Sequence, residues 1–281
     1  MEGMALVLEE KDGLSKMTKT NDLVSIIMMS RNKGKYVEES IRSIQAQTYT
    51  NWELLIIDDS SSDNTITSLM ELKGFDKRVK VSQSVNPRGV VLNRNSALKA
   101  ARGRWIAFLD CGDLWEPMKL EYQISFMEEN DYSLSYTVYG IKGENSDKKG
   151  YLVGGPNVVC YNDIWKCCWI NYLTVMYDAQ KIGNLLVPEK LHRTNDYALW
   201  LKALEKAECY LLDRCLAYQR TKSGRPPRYF MMPKIMWRYE IYKTVGMMSS
   251  LRACVYTIRN LWYTAYKWLH YAQKTESLVI K

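Results

Sequence analysis

Nowhere in this 281-residue chain does an apolar run approach the ~18 consecutive residues that a transmembrane helix requires. None is therefore expected. The start of the chain lacks a basic stretch followed by an apolar core, so no signal peptide is expected either. The seven cysteines are odd in number and include no CxxC pair. That argues against a disulfide framework or a zinc site and for reduced thiols in a cytoplasmic setting. Neither GxxxxGKS/T nor GxGxxG occurs, which excludes a glycine-rich phosphate cradle. Only two histidines are present, His192 and His270, and they are far apart. Structural or solvated roles suit both, although His192 lies close enough to Asp196 to serve an acceptor. Internal repeats, low-complexity tracts and nucleic-acid recognition motifs are missing, so nucleic acid is not an expected partner.

Acids are scarce at one end of the chain. The formal net charge is +8, yet from Thr221 onward eleven Lys/Arg stand against Glu240 and Glu276 alone. The preceding residues are close to neutral. Within the basic segment Leu251, Cys254, Val255, Ile258, Trp262, Ala265 and Leu269 form one helical stripe, with Arg252, Arg259, Lys267 and Lys274 largely on another face. Such a stripe can pack on the rest of the chain and leave a solvated basic face. It can also lie in an anionic membrane surface, with Trp237, Trp262 and Trp268 at the interface. The charge asymmetry favours the membrane, because simple packing gives no reason to exclude acids. The expected location is cytoplasmic and peripheral, on the inner face of the cell membrane.

What is abundant is alternation. β-branched or apolar runs at Val24–Met29, Trp52–Ile57, Val79–Ser84 and Arg104–Leu109 read as strands. Helical spacing separates them: Val37, Ile41 and Ile44, then 63–73, then 91–101. A helix over 116–129 follows, with Pro117 in its first turn. This order predicts an α/β fold with a parallel, doubly wound sheet. Further on, 132–142 reads as an edge strand, 143–150 as a polar turn, 151–181 as irregular, 196–208 as a helix and 209–218 as a strand. Pro226-Pro227 marks a boundary. Three parts are expected: an extension (1–22), a ligand-binding domain (23–225) and a basic amphipathic helical tail (226–281).

The strands end in polar residues. Ser30-Arg31-Asn32 follows the first, Asp58-Asp59 the second, and Asp110-Cys-Gly-Asp113 the fourth. In a right-handed βαβ sheet these ends share one edge, where such sheets bind ligands. Acids there suit ribose hydroxyls, a base N–H, or a cation bridging phosphates, and not bare phosphate. The implied ligand is a nucleotide whose diphosphate is neutralised by a cation or by an arginine such as Arg94. Each residue also has a plainer reading. Asp58, Asp63 and Asp110 suit turns, Asp63 and Asp196 suit helix N-caps, and Cys111 suits a packed thiol.

Several motifs in order carry a resemblance: Val24–Asn32, Ser43-Ile-Gln-Ala-Gln-Thr-Tyr49, Asn51–Asp63, Asn93-Arg-Asn95, Leu109–Pro117, Lys119–Met127, Asn195–Lys202 and Leu216–Arg220. Over roughly 22–225 the chain resembles glycosyltransferase family 2. That resemblance implies an inverting enzyme of GT-A (Rossmann-like) fold. It would move a sugar from a nucleotide-diphosphate donor, a UDP-sugar, to a hydroxyl of a glycan or lipid-linked acceptor in bacterial surface-polysaccharide synthesis. By position, Ser30, Asn32, Asp59, Arg94 and Asp110 would bind the donor, and Asp196 would be the general base. Asp110 and Asp113 would meet a divalent metal, Mn or Mg. The family pattern is Asp-x-Asp-Asp, and Gly112 stands where the coordinating Asp is usual. Asn195 replaces the Glu or Gln before the base. Gly112 also motivates an alternative, a non-catalytic nucleotide-sugar-binding or assembly partner.

Overall fold

The computed structural model describes residues 21–143, 146–189, 191, 195–221 and 232–275. The first half alternates as expected: β1 (Val24–Ser30), α1 (Val37–Gln45), β2 (Trp52–Asp58), α2 (Thr65–Phe75), β3 (Val79–Gln83), α3 (Val90–Ala100) and β4 (Trp105–Phe108). These strands lie parallel in the order β3-β2-β1-β4. The order reverses between β1 and β4, which opens a crevice at their carboxyl ends. Nearly every residue of β1 and β2 is buried, as befits parallel strands covered on both faces. Alternate side chains serve opposite layers. Val24, Ile26 and Met28 join α1 and α4, whereas Ile27 joins α3 and α7.

The second half extends and covers this sheet. In order come β5 (Leu114–Trp115), α4 (Lys119–Glu129), β6 (Leu134–Gly143), β7 (Ser146–Val153), β8 (Val158–Val159), α5 (Tyr161–Ile164), β9 (Met176–Asp178), α6 (Ala179–Ile182), α7 (Asn195–Leu204), β10 (Cys209–Thr221), α8 (Met232–Thr244), α9 (Ser250–His270) and β11 (Ala272–Thr275). β9 joins β4 antiparallel, and β6 then pairs with β9, β7 and β10. Two expectations are corrected here. The 132–142 segment is not an edge: β6 is buried throughout and hydrogen-bonded on both sides, because β10 returns from far along the chain to pair with it. The 143–150 turn is shorter than expected, since Ser146 already starts β7, and Gly143 pairs with Ser146. The Pro226-Pro227 boundary and His192 lie outside the described residues.

Two local devices brace the sheet away from the crevice. At the opposite end Glu53, 3% exposed, accepts hydrogen bonds from Ser25 Oγ (2.7 Å), Lys80 Nζ (2.5 Å) and the Arg102 N–H (3.0 Å). Burial alone would raise its pKa, but these donors outweigh it and hold the carboxyl at about 2. Gln47, from the Gln-Thr-Tyr motif, explains where α4 begins. Its Nε2 donates to Glu116 O (2.7 Å) and its Oε1 accepts from Leu120 N (3.0 Å). The helix therefore starts at Lys119 rather than at residue 116, with the side chain satisfying one of its leading N–H groups.

The residues after β10 are stitched to this body. α9 packs Ala253, Thr257, Asn260, Thr264 and Lys267 inward, and β11 adds antiparallel to β7. Lys267 Nζ donates to the carbonyls of Cys168 (3.2 Å) and Trp169 (2.7 Å). Burial lowers its pKa.

Candidate functional site

Parallel registration of β1 with β2 and β4 brings the three polar strand ends together. The N–H of Asp59 donates to Ser30 O (2.9 Å) and that of Leu109 to Ile27 O (3.1 Å), which locks these ends side by side. Each end then has its own loop chemistry.

Asp59 is 7% exposed. Its Oδ1 accepts from Arg88 N (2.8 Å), Gly89 N (3.3 Å) and Asn93 Nδ2 (2.7 Å). Its Oδ2 lies 3.4 Å from Arg31 Nη1. One oxygen thus ties the start of α3 to β2, and the other pairs with the residue that follows β1. Asp58 has a different task, accepting from Ser61 N (2.8 Å) as a turn former. Asp63 accepts from Thr65 N (3.0 Å) and Gly34 N (3.3 Å), joining the loops after β1 and β2. Asn32 reinforces the same joint. It sits at φ +52°, its N–H donates to Ser61 Oγ (2.9 Å), and its Oδ1 accepts from Ser62 N (2.9 Å). Ser30 is buried at 3%, with its side chain beside the Cys111 thiol. In this structure Ser30 and Asn32 shape the crevice wall.

The Asn93-Arg-Asn95 motif works in three directions from α3. Asn93 donates to Asp59 and accepts from Ser84 Oγ (2.9 Å). Asn95 exchanges two hydrogen bonds with the backbone of Val187, at 2.8 and 2.9 Å. Arg94, 4% exposed, stacks on the Tyr172 ring at 4.1 Å and turns its charge toward Asp110. Burial and the neighbouring charge of Asp196 raise the Asp110 pKa, against the pull of Arg94 and Lys33.

The loop from Asp110 to Asp113 is held from two sides. From α1, Ser40 Oγ accepts the Gly112 N–H (2.8 Å) and Ser43 Oγ accepts that of Trp115 (3.3 Å). From β10, the Arg220 N–H donates to Asp113 Oδ1 (2.9 Å), and Arg220 Nε donates to Gly112 O (3.0 Å). Gly112 adopts φ +111°, a conformation L side chains rarely hold. This turn accounts for a glycine where the related pattern has an aspartate. Burial, then repulsion from Asp110, pushes the Asp113 carboxyl up to about 8. The Cys111 thiol is pushed up to about 12 by burial, which fits a packed thiol and not a nucleophile.

Asp196 enters from α7. It is the second residue of that helix, in its first turn, where a negative charge is stabilised by the helix dipole. It shares electrostatic contact with Asp110 and lines a cavity of about 350 Å³ together with Asn171, Gln219, Arg238, Lys267 and Trp268. Two of the tryptophans expected at a membrane, Trp237 and Trp268, instead line this cavity. Arg220 is the site residue that the sequence reading did not single out. Its signal was the Leu216–Arg220 motif.

A parallel-sheet switch point with two acidic strand ends and a third carboxylate lining a nearby cavity is an α/β crevice suited to a nucleotide ligand. Comparison with known proteins agrees. The Glycosyl transferase family 2 model matches residues 25–168. The putative teichuronic acid biosynthesis glycosyltransferase TuaG of Bacillus subtilis is 35% identical over 84% of this chain and 94% of its own length. The UDP-Glc:alpha-D-GlcNAc-diphosphoundecaprenol beta-1,3-glucosyltransferase WfgD of Escherichia coli is 38% identical over 76% of this chain and 84% of its own. The chain belongs to glycosyl transferase family 2. Among solved structures, S. aureus TarS 1–349 in complex with UDP-GlcNAc shares the fold with a TM-score of 0.62 at 21% identity, covering 85% of this chain and 71% of that one. A Pyrobaculum calidifontis mannosyltransferase in complex with GDP-Man and Mn2+ shares it with a TM-score of 0.57 at 14% identity, covering 82% and 63%.

Proposed function

We propose that this glycosyltransferase moves a sugar from a UDP-sugar to a hydroxyl of a lipid-linked glycan, with inversion at the anomeric carbon. The observation that carries this reading is Asp196, whose charge acts on buried Asp110 at the strand ends and whose side chain lines the 350 Å³ cavity. An acceptor hydroxyl seated in that cavity attacks the anomeric carbon from the side opposite the diphosphate. Asp196 takes its proton as the new bond forms. UDP departs with the electron pair of the old bond and needs no proton where its charge is stabilised electrostatically. Asp59 Oδ2 accepts an N–H of the base, since an ionised carboxylate is purely an acceptor. Asp110 faces the ribose and diphosphate, with Arg94 beneath it as counter-charge.

The donor and acceptor classes draw support from the relatives, of which WfgD is named for UDP-Glc and a diphosphoundecaprenol-linked GlcNAc and TarS is seen with UDP-GlcNAc. A divalent cation such as Mn2+ or Mg2+ fits this edge. Such ions take one or two carboxylates and draw the rest of their shell from donor phosphates and water. Asp110 and Asp113 are the residues that would hold it, Asp113 through Oδ2, because Oδ1 is engaged by Arg220. Among the described residues no cluster of three or more His, Cys, Asp or Glu is arranged for a metal, so most ligands would come from the donor. When bound, the cation would neutralise charge developing on the leaving diphosphate.

Ligand-induced thermal shift tests the donor class. At about 100 times Kd, a bound donor adds ~2.7 kcal/mol of apparent stability, or about 5 °C in Tm for a domain of this size. UDP and UDP-sugars with Mn2+ should produce it, and GDP- and CMP-sugars should not. Equal shifts from all three classes, or none from any, would contradict the assignment.

A further inference from the structure

α9 is amphipathic in the reverse sense to a packed surface helix. Its inward face is largely polar: Thr257, Asn260, Thr264 and Lys267 are buried against the body. Its outward face carries Leu251 (78% exposed), Val255 (55%), Ile258 (68%), Trp262 (61%) and Leu269 (79%). At 100° per residue these five fall within a sector about 60° wide, opposite the buried set. Met247, 88% exposed, continues the patch just before the helix. Five large apolar side chains in one exposed stripe call for a partner.

We propose that this face of α9 docks the protein onto an anionic lipid surface, with the helix lying in the plane of the interface. The flank of the stripe fits that occupant. Arg252 is exposed and Arg259 partly so, and both sit about 70–90° around the helix from the stripe centre. From there the Arg252 stem can lie along the apolar boundary while its guanidinium reaches headgroup phosphates, and Arg259, stacked on the Tyr256 ring at 4.1 Å, adds positive charge on the same flank. No acid occurs between Ser250 and Thr275. A second copy of this chain would instead bring like-charged flanks together. No helix among the described residues is long and apolar enough to cross a membrane, so the helix lies on the surface rather than spanning it. Trp262 packs with Tyr263 and Tyr266, the amphipathic rings favoured at an interface. The opposite face of α9 lines the Asp196 cavity through Asn260, Thr264 and Lys267. Docking would thus hold that cavity at a fixed height above the lipid. This consequence alone rests on the proposed transfer reaction; the docking face itself does not.

The test is co-flotation of the full chain with vesicles of phosphatidylcholine, with and without phosphatidylglycerol. Wild type is compared with Ile258→Glu/Trp262→Glu and with Arg252→Gln/Arg259→Gln. Wild type should partition to the anionic vesicles at least about tenfold more than to neutral ones, and each pair of substitutions should reduce that binding about tenfold or more. The UDP-induced thermal shift of both variants should match wild type, which separates failure of docking from failure of the donor site. Absence of binding to either vesicle, or equal flotation by Ile258→Glu/Trp262→Glu, would overturn the proposal. So would a lipid-free dimer, seen by sedimentation, that the same variant dissociates.

Discussion

Replacing Asp196 by Asn should lower kcat for sugar transfer by about 10²- to 10⁴-fold, the range a positioned general base supplies. The amide keeps the shape and hydrogen-bonding reach of the carboxylate but cannot take a proton. Asp196 stands in the first turn of α7, where the backbone fixes it, so the substitution should leave the fold intact. Donor affinity should hold or rise slightly, because Asp196 is one of the negative charges that push against Asp110. Kinetics with saturating donor, paired with calorimetry for UDP, separates the two quantities. A variant that retains full kcat would remove Asp196 from the base role. A variant that loses UDP binding to the same degree would place it in the donor site instead.

Asp59 should show the second large effect, and two substitutions should divide it. Asp59→Ala removes the acceptor of three N–H groups, those of Arg88, Gly89 and Asn93, of which the last is buried. Each buried donor left without an acceptor costs on the order of 1–3 kcal/mol, so this variant should lose both stability and donor affinity. Asp59→Asn can keep its oxygen toward those donors and presents an NH2 in place of Oδ2, the atom proposed to accept from the base. It should fold and melt near wild type yet bind UDP about 10- to 100-fold more weakly, the size of one reversed polar contact. Unchanged UDP affinity in Asp59→Asn would mean that the carboxylate serves only the turn into α3.

The acidic edge of the sheet was legible in the sequence because its determinants are local. An apolar run of five to seven residues breaking into acids is visible at Asp58-Asp59 and at Asp110–Asp113, and strand alternation with helices puts both on one edge. The Asn93-Arg-Asn95 motif signalled a site but not its division of labour, which depends on which residues lie next to each turn of α3. Ser30 and Asn32 were expected at the ligand. In the structure Asn32 also joins the loops after β1 and β2, a local role that follows from β1 and β2 ending level and that periodicity does not show. Arg220 escaped notice as a loop clamp since its partners, Gly112 and Asp113, lie more than a hundred residues earlier. β6 looked like an edge for the same reason, its main partner β10 being far along the chain. The stripe on α9 was plain from periodicity. Its direction was not, because periodicity gives a helix two faces without saying which one the body takes. Asn260, Thr264 and Lys267 turn inward along the cavity, and that arrangement belongs to the tertiary structure.

The most direct test of the account is the anomeric configuration of the product. The purified full chain is incubated with an α-configured UDP-sugar, Mn2+ and a lipid-diphosphate-linked glycan acceptor, and the new linkage is read by NMR alongside release of UDP. The account predicts a β-linked product with one UDP released per sugar transferred. An α-linked product, or UDP-sugar binding without transfer to any acceptor tried, would contradict it.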